Sequence, residues 1–263
     1  MVSNLTPNHC LITGGPRGIG RATALLAARS GYDISIVGIT KASVHAKSLA
    51  DEIVALGRRA VILQGDMSNE DDISLVFDQA VKSLGPLTGL VNAAGVGYTS
   101  RVSDFDCSEL TRLMAVNVIG LMLCCREATR RMSTAKGGQG GAIVNISSMA
   151  ATIGGRPLAS AYAASKGAVD VFSTGFAREV ASQGIRVNVV RPGVISTDMT
   201  AKIVGNPELL AKVEASIPMG RVGTADEIAN SVVWLLSKQA SLITGAHLNA
   251  GGGGFNVAGF HGN

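Results

Sequence analysis

The sequence predicts an α/β domain in which a parallel sheet is covered by helices on both faces. Short apolar runs alternate with longer stretches of helical period almost to the C-terminus, which is typical of βαβ units. The runs AIVNI at 142–146 and RVNVV at 186–190 are continuously apolar, as strands buried on both faces require. Together these patterns predict one doubly wound domain over residues 1–263, with a sheet of about seven strands.

The predicted elements follow one another in regular order. Several predicted helices end on glycine, the residue that helix C-termini prefer. The predicted strands lie near 9–13, 33–39, 60–65, 88–92, 142–147, 186–191 and 243–248. The predicted helices cover 20–31, 42–57, 70–85, 108–132, 160–184 and 225–237.

The segment 194–222 is amphipathic but interrupted, and we expect it to form a small lid that closes over a substrate. Within it, Met199, Ile203 and Val204 either face the substrate or pack against the rest of the domain.

Composition narrows the class of protein. The chain has 263 residues, a formal charge of +4 and a pI near 9.0, and no basic run interleaves with aromatic residues, so we expect no nucleic-acid partner. No signal-like N-terminus and no uninterrupted apolar window of about 18 residues occur, which predicts a cytoplasmic protein without a membrane partner. The four cysteines lack the spacing of metal ligands, so we predict no metal site and small buried thiols.

The stretch TGGPRGIG, residues 13–20, lies where the first strand turns into the first helix. At such a turn, backbone N–H groups and the helix dipole favour a pyrophosphate. Gly14 would permit the turn, Gly18 the close approach of the ligand and Gly20 the packing of the helix, with Ile19 in the same loop. A purely structural turn is the alternative for a glycine motif taken alone.

Further motifs follow in order: NAAG at 92–95, Asn117 in the long helix, ISS at 146–148, YAASK at 162–166 and RPGVISTDM at 191–199. With the T-G-x-x-x-G-x-G loop, this series resembles the short-chain dehydrogenases/reductases over nearly the whole chain, in particular 3-ketoacyl-carrier-protein reductase and glucose dehydrogenase-like members. The resemblance implies a Rossmann-like fold, a nicotinamide dinucleotide cofactor and hydride transfer to or from a carbonyl carbon.

Tyr162 and Lys166 are the candidate catalytic pair. At positions i and i+4 of a helix their side chains share a face, and a nearby ammonium would lower the tyrosine pKa from its ordinary value of about 10. The resemblance makes Tyr162 the general acid/base and Ser148 the residue that steadies the substrate oxygen, with Ser147 as a possible alternative. It also gives Lys166 a contact to the nicotinamide ribose and makes Asn117 the anchor of a water relay; a buried asparagine that bonds a backbone group is the alternative.

The resemblance also implies the remaining cofactor contacts. Asp66, with Met67 after it, would contact adenine, although an acid at a helix N-terminus is an equally ordinary role for Asp66. The predicted cofactor-binding residues are Gly14, Arg17, Gly18, Ile19, Gly20, Thr40, Lys41, Asp66, Met67, Asn92, Ala93, Gly95, Tyr162, Lys166, Pro192, Gly193, Ile195 and Thr197.

The end of the second strand bears on the choice of cofactor. Gly38 stands where an acidic residue would grip the adenosine ribose hydroxyls, so a carboxylate that repels a 2′-phosphate is missing. Arg17, Thr40 and Lys41 are placed to contact that phosphate, although both cations suit an ordinary solvated surface. The sequence therefore favours NADP, with NAD as the alternative.

The leading hypothesis is an NADP(H)-dependent carbonyl reductase or alcohol dehydrogenase that acts on a small molecule. A sugar or polyol dehydrogenase of the same fold and a non-catalytic dinucleotide-binding protein are the alternatives. The substrate is not identified; Arg101 and Arg156 are candidates for contact with an anionic group, or plain surface residues. The resemblance implies a homotetramer or dimer built on the helices near 106–133 and 160–183, and we predict the tetramer. We assign His247 a structural role.

Overall fold

The computed structural model describes residues 8–40 and 43–254. Within them, seven parallel strands form one sheet with the order β3-β2-β1-β4-β5-β6-β7. The strand order reverses between β1 and β4, the point at which open α/β sheets form a crevice beyond the carboxyl ends of the strands. The strands are β1 His9–Thr13, β2 Asp33–Gly38, β3 Ala60–Gln64, β4 Gly89–Asn92, β5 Gly141–Ile146, β6 Ile185–Pro192 and β7 His247–Ala250. The predicted doubly wound fold is confirmed.

Helices cover both faces of this sheet. One apolar layer joins the sheet to α1, α2 and α10, and includes Leu49 and Ile53 of α2. The other joins it to α3, α5 and α7, and includes Phe77 of α3 and Val180 of α7. The helices are α1 Gly18–Arg29, α2 Val44–Ala55, α3 Glu70–Leu84, α4 Cys107–Met114, α5 Leu121–Met132, α6 Ala150–Ile153, α7 Ser160–Val180, α8 Ala201–Val204, α9 Pro207–Ala215 and α10 Ala225–Leu236. Buried layers on both faces explain the continuous apolar character of the central strands.

The last strand is the one that the sequence placed wrongly. The first six predicted strands agree with the structure to within one residue at each end, whereas β7 begins at His247 rather than near residue 243. Residues 243–246 form a turn in which Gly245 has φ +75°. The Asn188 side chain donates to the Ile243 carbonyl at 2.9 Å and accepts from the Ala246 N–H at 3.0 Å. Those long-range bonds, invisible in the local pattern, hold the turn.

The predicted helix at 108–132 is divided in the structure. Between α4 and α5, residues Ala115–Gly120 form one wide π-helical turn. A Cβ on Gly120 would lie 1.7 Å from the Met67 carbonyl oxygen, so only glycine permits this close approach. π-Helical turns recur at functional sites. Here the turn carries Asn117, one of the predicted site residues.

By length and composition alone, the helical run Cys107–Met132 is apolar enough to cross a membrane, with a mean hydropathy of 1.4 in its most apolar window. In the fold, however, α5 packs on α3, β4 and β5, and it carries the buried Glu127 in contact with three arginines. A helix that forms part of a protein core passes the same test of composition. The absence of a membrane partner stays a prediction.

Three of the four cysteines are buried, and burial raises the pKa of the Cys10, Cys124 and Cys125 thiols. Cys107 is exposed, so the prediction of uniformly buried thiols is wrong at this position. Cys107 is the first residue of α4, which buries only Leu113, so most of that helix surface is open.

The segment 194–222 leaves the sheet and returns to nearly the same point. Backbone bonds join Ser196 N to the Gly223 oxygen and Gly223 N to the Val194 oxygen, each at 2.9 Å. The helices α8 and α9 lie between these two anchored ends. An excursion whose two ends are joined in this way is a suitable geometry for a lid, and the lid role stays a prediction.

Candidate active site

A cleft of about 650 Å³ follows the carboxyl edge of the sheet at the switch point. Most of the predicted site residues line it, from the adenosine-side loop after β2 to Ser148 and Tyr162 after β5. The predicted cofactor residues along its wall are Gly14, Arg17, Gly18, Ile19, Gly20, Thr40, Asp66, Met67, Ala93, Gly95, Tyr162, Lys166, Pro192, Gly193, Ile195 and Thr197.

One described residue among the predicted contacts, Asn92, is not in that wall. The Asn92 side chain is 2% exposed and lies below the cleft, where its amide donates to Asn145 Oδ1 at 2.9 Å and to Cys125 Sγ at 3.4 Å. Its prediction as a cofactor contact is wrong for the side chain, because β4 directs that side chain into the core. Lys41, together with Ala42 at the start of the predicted second helix, lies outside the described residues.

The glycine loop has the geometry of a phosphate cradle. Gly14 has φ +66°, and a Cβ there would lie 2.8 Å from the Ala94 nitrogen, so a larger residue would displace the neighbouring turn. Among the described residues, no side chain caps the N-terminus of α1, whereas Asn69 caps α3 by accepting from two backbone N–H groups. The free N–H groups and dipole at the start of α1 therefore face the cleft and suit an anion.

The end of the cleft that is expected to hold the adenosine, here called the adenosine end, is formed by the loop after β2. A Cβ on Gly38 would lie 2.9 Å from Pro16 Cγ, so Gly38 and the glycine loop pack directly on each other. Ser43 and His45, at the start of α2, also line this end, and the sequence analysis missed both. Their signal was available, because they begin the helix that follows the second strand.

Asp66 lies in the turn that precedes α3, and its contact with adenine stays a prediction. It lines the cleft, and its Oδ1 accepts from the Ser68 N–H and hydroxyl at 2.8 Å, which lowers the pKa of the carboxyl group. Arg112 of α4 lines the same region and also lowers that pKa through its charge. Arg112 was not among the site residues predicted from the sequence.

Arg17 bridges the cleft rather than extending freely into solvent. Its guanidinium lies 3.2 Å from the Asp198 carboxylate, and both side chains are largely exposed. Asp198 belongs to the RPGVISTDM stretch and was not among the predicted site residues, although it adjoins the predicted contact Thr197. The ion pair links the glycine loop to the base of the segment 194–222.

The two adjacent serines after β5 have different surroundings. Ser147 is 2% exposed, and its hydroxyl donates to the Lys166 carbonyl oxygen at 3.2 Å. The Ser148 hydroxyl accepts from the Ala150 N–H at 3.1 Å and lies near enough to the Tyr162 hydroxyl to lower the pKa of Tyr162. The structure therefore places Ser148, rather than Ser147, beside the tyrosine.

Tyr162 and Lys166 lie on one face of α7, as their spacing predicted. Lys166 Nζ is 5.9 Å from the centre of the Tyr162 ring and donates to the Ile146 carbonyl oxygen at 2.9 Å. Burial lowers the pKa of Lys166 to about 8. Burial also raises the pKa of Tyr162, while the nearby Ser148 hydroxyl opposes that rise. The expected lowering of the tyrosine pKa is therefore wrong here, because desolvation of the phenolate outweighs the opposing effect of Ser148.

Asn117 lies beneath this group. Its side chain accepts from the Val96 N–H at 2.8 Å and donates to the Val96 carbonyl at 2.9 Å and to Ser165 Oγ at 3.1 Å. Asn117 Oδ1 and Lys166 Nζ both lie within 3.6 Å of the position that a Cβ on Gly95 would occupy. The side chain thus fixes the loop after β4 to α7, as the backbone-bonding alternative described, and it lies next to the lysine.

A family model described as enoyl-(acyl carrier protein) reductase matches residues 14–255 of this chain. The chain belongs to the short-chain dehydrogenase/reductase family. It is 45% identical over 245 residues to an uncharacterized oxidoreductase of Escherichia coli, covering 92% of this chain and 98% of the relative. It is 39% identical over 244 residues to the 3-oxoacyl-[acyl-carrier-protein] reductase of Rattus norvegicus, covering 93% and 96%.

The fold comparison agrees with the family assignment. The crystal structure of a blue fluorescent protein from a metagenomic library in complex with NADPH superposes with a TM-score of 0.87 and 33% sequence identity, covering 96% of this chain and 99% of that one. As a short-chain dehydrogenase/reductase, the protein is an oxidoreductase whose family uses a nicotinamide cofactor.

Fewer of the residues considered for substrate contact line the cleft than of those predicted to bind the cofactor. Of the three predicted lid contacts, Met199 lines the cleft, whereas Ile203 and Val204 do not. Arg101 and Arg156 are exposed and also lie outside the cleft wall. Within the described residues, no three His, Cys, Asp or Glu side chains are grouped as metal ligands.

Proposed function

We propose that the protein is an NADP(H)-dependent oxidoreductase that transfers hydride between the nicotinamide and a ketone or secondary alcohol, with Tyr162 as general acid/base. The observation that carries this proposal is the convergence of Ser148, Tyr162 and Lys166 in a cleft that begins at an uncapped, glycine-rich helix start. The three side chains can transfer a proton, and the helix start suits the pyrophosphate of a dinucleotide.

In the reductive direction, the bound cofactor supplies the hydride to the carbonyl carbon. The pKa of Tyr162 is raised by burial, so the phenol holds its proton at neutral pH and can donate it to the carbonyl oxygen. Ser148, which lies near the Tyr162 hydroxyl, is placed to donate its proton in a hydrogen bond to the same carbonyl oxygen. The structure therefore suits reduction near neutral pH better than oxidation.

Lys166 would stabilise the phenolate that remains after the proton has left. With its pKa lowered to about 8, it is mostly charged at pH 7, and its ammonium lies close to the phenol ring. We also propose that Lys166 contacts the nicotinamide ribose and that Asn117, which lies beside the lysine, supports the relay that returns a proton to Tyr162.

The preference for NADP rests on the adenosine end. Gly38 places no carboxylate near the ribose, and Arg17 with the described Thr40 lies in the same wall of the cleft. The superposed relative binds NADPH, which supports the same choice. NAD remains the alternative that a direct comparison of the two cofactors would test.

The rat relative's name makes 3-oxoacyl thioesters a natural first class of ketone substrate. Absorbance of the reduced nicotinamide, followed with NADPH and NADH in parallel against ketones, diketones and 3-oxoacyl thioesters, tests the proposal. Aldoses and polyols with the oxidised cofactors test the sugar dehydrogenase alternative. Consumption of NADPH with a ketone supports the proposal, and tight cofactor binding without turnover across the panel would favour the non-catalytic alternative.

We also propose a single-domain homotetramer in the cytoplasm. Seven strands in one sheet support the single domain over residues 1–263. Large apolar side chains exposed on the central helices, such as Ile119 at 54% and Val171 at 77%, support burial between subunits. Light scattering that gives the mass of a monomer would contradict the tetramer.

A further inference from the structure

Asp170 extends the catalytic face of α7 by one turn. Tyr162, Lys166 and Asp170 follow one another at intervals of four residues, so their side chains lie along one side of the helix. Asp170 is only 6% exposed, and its Oδ1 is buried without a hydrogen-bond partner in the described part of the chain. A buried carboxylate next to the catalytic lysine calls for an explanation, since burying a charge is costly unless that charge interacts with others.

The other carboxylate oxygen of Asp170 is held by the neighbouring strands. Arg191 of β6 donates from Nε to Asp170 Oδ2 at 2.9 Å. The same guanidinium lies 2.7 Å from His247 Nδ1, which must be the acceptor because a guanidinium can only donate. His247 is therefore neutral, with its proton on Nε2 facing Thr174 Oγ1 at 3.3 Å. Burial and the charge of Arg191 lower the pKa of His247, in agreement with this state.

Two opposing influences act on the charge of Lys166. Burial lowers the pKa of Lys166, and the negative charge of Asp170 raises it. Two uncharged groups also lie near Lys166: the Ile146 carbonyl of β5, which accepts from Nζ at 2.9 Å, and Asn117 of the π turn. Arg112 lines the same cleft from α4 but lies at the Asp66 end.

We propose that Asp170 is a positioning residue that keeps Lys166 protonated at working pH, and that Arg191 limits the strength of its field. His247 takes part by holding the Arg191 guanidinium while remaining uncharged. The inference rests on the proposed function in one respect only, which is that a charged Lys166 is needed for hydride transfer. The electrostatic coupling between the two side chains stands independently of turnover.

The titration of Lys166 tests this coupling directly. Protein labelled with ¹³C at the lysine Cε positions gives one resonance per lysine, and the resonance lost in Lys166→Met identifies Lys166. In Asp170→Asn, which keeps the shape and one acceptor for Arg191, we expect the titration midpoint of Lys166 to fall by about half a unit to one unit. In Arg191→Gln, which removes a positive charge and leaves Asp170 unshielded, we expect the midpoint to rise.

Glu179→Gln is the matched control, because it removes the same charge from an exposed position on the same helix, about 20 Å along the axis from Lys166. It should leave the midpoint unchanged. Opposite shifts in the first two variants support the inference, and Arg191→Gln alone decides it if Asp170→Asn does not fold. An unchanged midpoint, or shifts of the same sign, would overturn it.

The same variants separate this inference from the proposed function. If the Lys166 midpoint moves as expected while no ketone is reduced, the coupling stands and the proposed function fails. If NADPH-dependent reduction is found, the pH at which its rate falls on the alkaline side should follow the Lys166 titration midpoint. It should be lower in Asp170→Asn and higher in Arg191→Gln. If the pH at which the rate of reduction falls stays fixed while the Lys166 titration midpoint moves, Asp170 has no influence on the reaction.

Discussion

The two ends of the cleft are built in different ways. At the end expected to hold the nicotinamide, Lys166 is buried and hydrogen-bonded, Tyr162 lies near Ser148, and Asn117 makes two bonds to the adjoining loop and one to α7. At the adenosine end, Arg17 is largely exposed and paired with an exposed carboxylate. His45 is likewise exposed at the rim.

This difference indicates that the groups around Tyr162 are fixed before ligands bind, whereas the groups at the adenosine end adjust when a ligand binds. Buried groups with several fixed partners keep their geometry, and their pKa values are strongly shifted, which suits proton transfer. Exposed cations with a single partner are screened by solvent and contribute little in place, so they are free to change partners when a phosphate arrives. The chemistry should therefore respond to substitutions much more strongly than the choice of cofactor does.

A large effect expected at the end of the cleft around Tyr162 distinguishes the two serines. Ser148→Ala removes a hydrogen-bond donor for the substrate oxygen and should lower kcat for ketone reduction by about a hundredfold. Ser147→Ala removes a buried bond to the Lys166 carbonyl and should mainly lower the free energy of unfolding, by about 1 kcal/mol. Steady-state kinetics and urea unfolding of both variants give the comparison. A larger loss of kcat in Ser147→Ala would exchange the two assignments.

The pH dependence of reduction sharpens the account of Lys166. Because its pKa is lowered to about 8, kcat/KM for reduction at saturating NADPH should be level below that pH and should fall as the pH rises through it. The sign follows from the requirement that Lys166 be charged and Tyr162 protonated. In Lys166→Arg the guanidinium stays charged, so whatever activity remains should lose this decline. A decline that persists unchanged in Lys166→Arg would point to another group.

The smallest effect is expected at the adenosine end. Arg17→Gln should weaken NADPH binding by about tenfold, the loss of one charge-assisted bond to phosphate, and should change NADH binding little. Arg29→Gln, at the far end of the same helix, is the control. Asp198→Asn releases Arg17 from its exposed ion pair, so NADPH should bind slightly more tightly. Fluorescence titrations of both cofactors measure these changes, and equal weakening of NADPH and NADH in Arg17→Gln would exclude a contact specific to the 2′-phosphate.

The sequence was informative where local pattern and spacing determine structure. The first six strands follow from apolar runs, and the i, i+4 spacing of Tyr162 and Lys166 places both on one helix face. The glycine loop follows from its position between a strand and a helix. These features depend on neighbours in the chain, which a sequence displays.

Features set by distant partners were not predictable. The turn before β7 is held by Asn188, and Asn92 is directed to Asn145 rather than to the cleft. The raised pKa of Tyr162 depends on how far the folded chain excludes water, which its spacing from Lys166 does not reveal. Asp198 escaped notice for the same reason, because its contact with Arg17 spans 181 positions of the chain.

The measurement that tests the central claim most directly compares the protein with Tyr162→Phe in NADPH-dependent ketone reduction, with NADPH affinity measured alongside. Tyr32→Phe, which loses a hydroxyl remote from the cleft, is the control. We predict that kcat falls by about 10²–10⁴-fold in Tyr162→Phe while NADPH binds as before, because only the proton donor is lost. Reduction that continues at an undiminished rate in Tyr162→Phe would contradict the assignment of Tyr162 as the general acid.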